Sequence, residues 1–184
     1  TSIKFIDATD RLEGYYQLEV TFETCDSMGA NFINSNLEEM AKCLENFAAN
    51  HDRLDENSLE VVMRILSNYT PRCIVRASVS CPVEELASEG VSAAEFARKF
   101  ERAIAIANAE PYRATTHNKG IMNGIDGVII ATGNDFRAVE AACHTHASRS
   151  GSYKSLTGCN VEDGVFTFWI EIPLSLGVVG GLTK

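Results

Sequence analysis

The spacing of apolar residues changes along the chain, and this change restricts the fold more than any other feature. Tyr16, Leu18 and Val20 alternate with polar residues, which is the period of a β-strand with one solvent-facing side. Between residues 33 and 47 the apolar residues instead recur at steps of four and three, as in an amphipathic helix. Since both periods occur in one chain, the sequence predicts an α+β fold.

The rest of the chain continues this mixture. A short strand at Ile3–Asp7 precedes the one at Tyr16, and Ser92-Ala93-Ala94-Glu95 is a capping box that predicts a helix start. That helix should end near Glu110-Pro111, because the residue before proline tends to leave the helical conformation. The other predicted elements are strands at 61–66, 73–81, 152–158 and 165–172, and helices near Ile121 and from Asp135 to Ala147.

Composition excludes some classes of protein. The 16 basic and 25 acidic residues give a formal charge of −9, which argues against a nucleic-acid or anionic-membrane surface. No long apolar run and no basic-then-apolar leader pattern occurs, so we expect neither a membrane span nor a signal peptide. The six cysteines form no C-x-x-C pair, so they indicate buried packing in a reducing cytoplasm, with neither a zinc site nor a disulfide framework. The chain begins with Thr1 and ends in a glycine-rich stretch, and we expect it to be part of a longer protein.

The segment His117–Gly124 carries one lysine among glycines and amides, and Gly133-Asn134-Asp135 follows it. If this segment is a loop, Lys119 could stabilise an oxyanion there, with Asp135 as its partner. A surface lysine and a helix-capping aspartate explain the same pattern equally well.

A second candidate site is Asp26–Asn31, which joins a predicted strand to a predicted helix. Gly29 permits close approach of a ligand, and free amides at a helix start favour a phosphate or another polar group. An ordinary helix cap is the alternative and needs no ligand. The G-x-G-x-x-G pattern is absent, so this is not a Rossmann loop.

Four segments together, at 26–31, 117–124, 133–137 and 175–181, closely resemble 3-hydroxy-3-methylglutaryl-coenzyme A (HMG-CoA) reductase. The form of the lysine and aspartate segments is similar to class II, the mostly bacterial and archaeal type. The resemblance implies reduction of HMG-CoA to mevalonate and coenzyme A, with two hydrides from NADH or NADPH.

The resemblance also implies residue roles. Lys119 would stabilise the oxyanion and supply a proton, and Asp135 would maintain the charge state of that lysine. Arg113 would bind the free carboxylate of the substrate. Asn123 would support this cluster, and Asn68 would border the substrate.

For the cofactor, the resemblance implies a loop of Asp26, Met28, Gly29 and Asn31, in which Ser27 replaces the usual alanine. Residues 1–109 would form a small ferredoxin-like β-β-α-β-β cofactor domain, and residues 110–184 part of a larger substrate domain. The family forms its active sites at a dimer interface, so we expect a homodimer or a higher homo-oligomer.

The family also requires a glutamate from a Glu-Asn-Val-like segment and a histidine from a Gly-His-Met-like segment, and neither segment occurs here. By itself, the chain should therefore be nearly inactive. No metal site is predicted, because His144 and His146 are two positions apart and point in different directions on a helix. The alternative functions are a non-catalytic module that binds a dinucleotide or acyl-coenzyme A, and a structural acidic domain, which would leave the four motifs unexplained.

Overall fold

The computed structural model describes residues 2–55 and 58–177. Among these residues the protein has an α+β fold, with a two-stranded and a three-stranded antiparallel sheet and four α-helices, so the predicted fold class is confirmed. The chain divides into two compact units, one of residues 1–66 and 176–184 and the other of residues 67–175.

The first unit begins with an antiparallel hairpin. Strand β1 (Ser2–Asp7) pairs with β2 (Tyr16–Thr21), which confirms both predicted strands. Phe5 lies opposite Leu18 on one face, and Phe5 stacks on Tyr16 with ring centroids 5.5 Å apart. This apolar face is exposed to solvent within the described residues: the exposed fractions of Phe5 and Leu18 are 66% and 41%.

Helix α1 (Ala30–Ala49) follows in the same unit. Ile33, Leu37 and Leu44 lie on its partly buried side, and Ala41 is buried. The predicted amphipathic helix is thus confirmed, and it extends by less than one turn at each end beyond the apolar pattern of residues 33–47.

The strand predicted at 61–66 is wrong. These residues form no strand in the structure, and Val62, Met63 and Ile65 are each at least 70% exposed. Their apolar and β-branched composition favours an extended chain, but a strand also needs a neighbour for its backbone groups. Within residues 58–66 the backbone amide of Leu66 donates instead to the side-chain oxygen Oδ1 of Asn34, at 3.1 Å.

The second unit contains a three-stranded sheet in the order β3-β5-β4. Its strands are β3 (Ile74–Pro82), β4 (Thr157–Glu162) and β5 (Val165–Pro173). The strands predicted at 73–81 and 165–172 are confirmed, whereas β4 begins five residues later than the predicted Ser152. Among the described residues, β3 pairs with β5 in this sheet, and β1 and β2 form a separate two-stranded sheet.

The core of the second unit lies between this sheet and helix α2 (Ala93–Ala109). The ring of Phe100 on α2 meets Phe166 and Phe168 on β5 edge-on, at centroid distances of 5.4 and 5.5 Å. In the sheet, Cys81 of β3 lies opposite Phe166. Cys81 is partly buried there, but Val75 and Val79 are 44% and 66% exposed, so the predicted alternation of apolar residues along β3 does not correspond to a buried face.

Three helices follow one another along the chain: α2, α3 (Pro111–Ala131) and α4 (Phe136–Ala147). The Ser92 hydroxyl accepts a hydrogen bond from the Glu95 amide at the start of α2, as the capping box predicts. The Glu95 carboxylate itself pairs with Lys99 at 2.7 Å. Glu110 separates α2 from α3 with an extended backbone, at φ −131° and ψ 111°, so the predicted helix break is confirmed. The assignment of 1–109 and 110–184 to cofactor and substrate domains remains a prediction.

Candidate functional site

The segment that carries Lys119 is a helix and not the loop that its glycines suggested. It lies in the middle of α3, whose first turn is stabilised by the Glu110 side chain: the carboxylate accepts from the Arg113 amide at 2.9 Å. Pro111 occupies the first helical position, where its missing N–H removes no hydrogen bond. A well-capped start and tertiary packing together outweigh the low helix propensity of glycine.

The buried face of α3 determines where Lys119 points. Ala114, Asn118 and Met122 follow one another at steps of four and are buried, so they form the inward-facing stripe of the helix. Lys119 and Asn123, also four positions apart, share an exposed face. The helix therefore presents the lysine and this amide side by side, away from the core.

Asn118 and its neighbour His117 attach α3 to β4 and the segment before it. Asn118 is fully buried, its amide nitrogen donates to the Lys154 carbonyl oxygen at 2.9 Å, and its Oδ1 accepts from the Leu156 amide at 3.1 Å. The Nε2 atom of His117 lies 2.7 Å from the Thr157 hydroxyl. We call these contacts the α3 clamp.

Sequence reasoning missed this role of Asn118. Its position in the helical period of buried residues was the available signal, because a buried amide must satisfy its donors and acceptors inside the protein. Burial, with a smaller effect of the nearby Arg113 guanidinium, lowers the pKa of His117. A neutral His117 suits a hydrogen bond to a hydroxyl.

Asp135 is the N-cap of α4, and its Oδ1 accepts from the Ala138 amide at 3.2 Å. The helix-capping interpretation is therefore correct for this aspartate. Across residues 2–55 and 58–177, no ion pair within 4.0 Å joins Asp135 to Lys119, and both side chains are exposed. Their catalytic partnership remains a prediction.

The remaining predicted substrate residues also face solvent. Arg113 is exposed in the first turn of α3, and Asn68 is exposed in the segment that precedes β3. All five residues predicted around the substrate (Asn68, Arg113, Lys119, Asn123 and Asp135) belong to the second unit. Their side chains are therefore carried by one compact part of the chain, on its solvent-facing surface.

The predicted cofactor loop lies in the first unit and has an unusual backbone. Gly29 is the N-cap of α1 in the left-handed conformation, at φ 69° and ψ 18°, and no side chain caps the helix. Cys25 is also left-handed, at φ 49°, which is uncommon for a residue with a side chain. Neither Asp26 nor Asn31 caps the helix, and the N-cap Gly29 is a residue type that commonly occupies this position. The start of α1 can therefore offer backbone amides to a polar ligand.

One contact of this loop involves the glycine-rich segment near the end of the chain. A Cβ atom at Gly177 would lie only 3.0 Å from the Met28 backbone nitrogen and 3.3 Å from its Cβ. Gly177 therefore lets the two backbone segments approach closely, since a larger residue would force them apart. The repeated glycines after Leu176 were the sequence signal for this approach.

The two histidines on α4 have separate environments. The ring of His144 bonds to the Tyr153 hydroxyl at 2.7 Å. His146 is 5% exposed, neither ring nitrogen has a hydrogen-bond partner among the described residues, and its Nε2 lies 4.0 Å from Glu171. Burial is the main cause that lowers the pKa of His146. The two rings therefore have different partners and different exposure.

Other side chains offer no additional site of these kinds within the described ranges. No group of three or more His, Cys, Asp or Glu side chains there could hold a metal ion. Each of the six cysteines has a free thiol, and burial raises the pKa of Cys143 to about 11. None of the helices in residues 2–55 and 58–177 has the length and apolar character needed to cross a membrane.

Comparison with known proteins identifies relatives over nearly the whole chain. The hydroxymethylglutaryl-coenzyme A reductase family matches residues 2–184. A 3-hydroxy-3-methylglutaryl-coenzyme A reductase from Archaeoglobus fulgidus is 40% identical over 160 residues, which cover 86% of this chain and 33% of the relative. A relative from Borreliella burgdorferi, with the same name as a probable assignment, is 37% identical over 169 residues, or 92% of this chain and 37% of the relative. The chain thus spans about one third of the length of these relatives.

Solved structures agree with this relationship. An HMG-CoA reductase from Streptococcus pneumoniae superimposes with a TM-score of 0.74 at 37% identity, covering 86% of this chain and 36% of that one. Another structure from the same organism, with equal TM-score and identity, is described as class II and as bound to NADPH in open conformations. The family and class indicated by the four sequence motifs are confirmed. This chain belongs to the hydroxymethylglutaryl-coenzyme A reductase family.

Proposed function

We propose that the full-length protein containing this chain is an oxidoreductase that interconverts HMG-CoA with mevalonate and coenzyme A. The observation that carries the proposal is the family match over residues 2–184, together with the intact lysine motif on the exposed face of α3. Two hydride transfers are needed to take a thioester to an alcohol. NADPH or NADH supplies both hydrides when it is bound.

Lys119 is the residue we assign to the charge that develops on oxygen. Its exposed ammonium extends from the middle of a helix that the α3 clamp fixes to the segment before β4. A positioned cation can stabilise the oxyanion formed at each reduction and can then donate a proton to that oxygen. Asp135 would support the charged form of this lysine, and Asn123 lies four positions away on the same helix face.

Arg113 is assigned to the free carboxylate of the substrate, because a guanidinium can donate two parallel hydrogen bonds to one carboxylate. It is exposed and lies nearly two turns before Lys119 on α3. Asn68 would contribute an amide at the border of the substrate. These assignments concern one unit of the chain and rest on residues whose side chains are accessible to a ligand.

The cofactor is assigned to the loop of Asp26, Met28, Gly29 and Asn31. This fits the observation that α1 starts at a left-handed glycine with no side-chain cap, so backbone amides there are suited to polar groups of a dinucleotide. Ser27 adds one hydroxyl where the family usually has alanine, and we expect binding to tolerate it. The Streptococcus pneumoniae relative described as bound to NADPH supports a dinucleotide cofactor.

We also propose a homodimer or a higher homo-oligomer in the cytoplasm, with the active site at the subunit interface. Lys119, Asp135 and Arg113 are exposed, so residues from outside this chain can reach them and complete the active site. Such residues are also needed because the glutamate and histidine motifs of the family do not occur in this chain. Without the glutamate and the histidine, the isolated chain would bind its ligands but show little or no turnover. In that case it would act as a binding module, which is the alternative function.

The test compares the full-length protein with two lysine variants. Cofactor absorbance is followed with HMG-CoA for the wild type, for Lys119→Ala and for Lys4→Ala, which removes an exposed lysine from β1. We expect Lys119→Ala to lower kcat on the order of 100- to 1,000-fold, as for loss of one oxyanion donor, and Lys4→Ala to retain normal turnover. A wild-type protein that binds both ligands yet never oxidises the cofactor would favour the binding module and refute the reductase.

A further inference from the structure

We infer that Asn118 is a positioning residue for Lys119: its buried amide fixes the rotation of α3 about its axis. This inference rests on the proposed function, because it concerns how the lysine of that site is held. Asn118 itself is fully buried, so its side chain is not accessible to a ligand. Its effect on the reaction passes through the helix backbone to the next residue.

The contacts of Asn118 are suited to this task because they are directional at both ends. The side-chain nitrogen donates to the Lys154 carbonyl, and the side-chain oxygen accepts from the Leu156 amide. The two partners belong to one backbone segment and lie on either side of residue 155. The amide therefore bridges that segment as a peptide group in a sheet would, and rotation of α3 would break both bonds.

Apolar packing alone would hold α3 less specifically. Ala114 and Met122 flank Asn118 on the buried stripe, but apolar contacts are non-directional, and methionine adapts to irregular space. The His117 ring bonds to Thr157 at 2.7 Å and adds a second fixed point. The α3 clamp therefore adds directional hydrogen bonds to the contact between α3 and its neighbours.

A small rotation would have a large effect at the site. A lysine ammonium extends roughly 8 Å from the axis of its helix, so a rotation of about 10° displaces it by more than about 1 Å. Misplacement of a reacting group by about 1 Å can lower the rate on the order of 100-fold. Loss of the amide should therefore reduce kcat even though the lysine is retained.

The experiment uses the full-length protein and three variants. Asn118→Leu removes both hydrogen bonds at similar volume, and Asn118→Asp retains only the acceptor when it is ionised. Met122→Ala is the control, because it weakens the same buried stripe and leaves the clamp intact. Thermal unfolding of each variant defines a temperature at which all are folded, and kcat and KM for both ligands are measured there.

We expect Asn118→Leu to lower kcat about 30- to 100-fold with KM values within about threefold of the wild type. Met122→Ala should lower the unfolding temperature but keep kcat within about threefold. For Asn118→Asp, the ratio of its kcat to that of the wild type should rise as pH falls. The protonated carboxyl regains a donor for Lys154, and burial makes this protonation easier.

The outcomes distinguish the positioning role from the proposed function. If the wild type is active, two results overturn the positioning role and leave the reductase function in place. One is a kcat of Asn118→Leu that is as close to the wild type as that of Met122→Ala. The other is a ratio of the kcat of Asn118→Asp to that of the wild type that does not change with pH. If Asn118→Leu does not fold, the pH dependence of Asn118→Asp decides. A wild type without cofactor oxidation overturns the proposed function, and the positioning role with it.

Discussion

Replacing Gly158 with alanine should destabilise the sheet of the second unit. Gly158 on β4 lies opposite Trp169 on β5, and the indole covers the glycine so closely that a Cβ atom there would be 2.3 Å from Cζ2 and 2.4 Å from Cε2. Carbon atoms prefer separations of about 3.5–4.0 Å, so the indole would have to move by more than about 1 Å. Arg76 lies over the same ring, 4.7 Å from its centroid, and would lose its contact.

The size of the effect follows from these two losses. Overpacking by one methyl group costs about 1–3 kcal/mol, and an exposed cation–π contact adds about 0.5–1 kcal/mol. We therefore expect the free energy of unfolding to fall by about 1.5–4 kcal/mol. For a protein of this size each kcal/mol corresponds to about 2–4 °C, so the unfolding temperature should fall by about 3–16 °C.

Denaturant and thermal unfolding monitored by tryptophan fluorescence provide the assay, because Trp169 is the single tryptophan of the chain. The matched control is Gly127→Ala on the exposed side of α3, where a Cβ atom would meet nothing within 4 Å. That change should stabilise the protein by up to about 1 kcal/mol, since alanine favours helices more than glycine does. Unchanged stability and unchanged Trp169 emission in Gly158→Ala would refute the reasoning.

Three further predictions concern helix termini and pH. Because burial lowers the pKa of His146, the unfolded chain binds a proton more readily, so stability should be complete above about pH 6.5 and decline as pH falls below it. In urea titrations from about pH 5 to 8, His146→Leu should flatten this decline and His144→Leu should not; equal slopes would contradict the assignment. Ser92→Ala should lower stability by about 1 kcal/mol and Ser92→Asn by much less, because asparagine also caps helices; chemical denaturation compares the two. Asp135→Asn should keep the α4 cap and the unfolding temperature but lower kcat at least about 10-fold, and normal turnover in this variant would remove Asp135 from the site.

Local sequence signals predicted the elements whose determinants are local. The Ser92 cap, the break at Glu110-Pro111 and the Asp135 cap each depend on a few neighbouring residues, and all three are present in the structure. The period of α1 was equally clear, because a helix of this length repeats its apolar pattern several times.

Features that depend on distant partners were not predictable in this way. The extended pattern at 61–66 does not reveal whether another strand is available beside it, and none pairs with it in the described structure. In the same way, Gly120 and Gly124 suggested a loop around Lys119, because the sequence does not show the buried contacts that keep α3 helical. The bonds of Asn118 join residues 36 and 38 positions apart, a separation that no local pattern encodes.

The single-residue joint at Glu110 has a consequence for how this chain can vary in length. Glu110 ends α2 and, through its own side chain, starts α3, so no spare residue lies between the two helices. Each residue added inside a helix turns everything beyond it by about 100°. An insertion absorbed into the start of α3 would therefore turn Asn118 out of the core and put His117 in its place, whereas a single deletion there would turn Lys119 towards the core. Insertions and deletions should be excluded from this joint, whereas the turn around Gly151, where an added Cβ would meet nothing within 4 Å, has room for them.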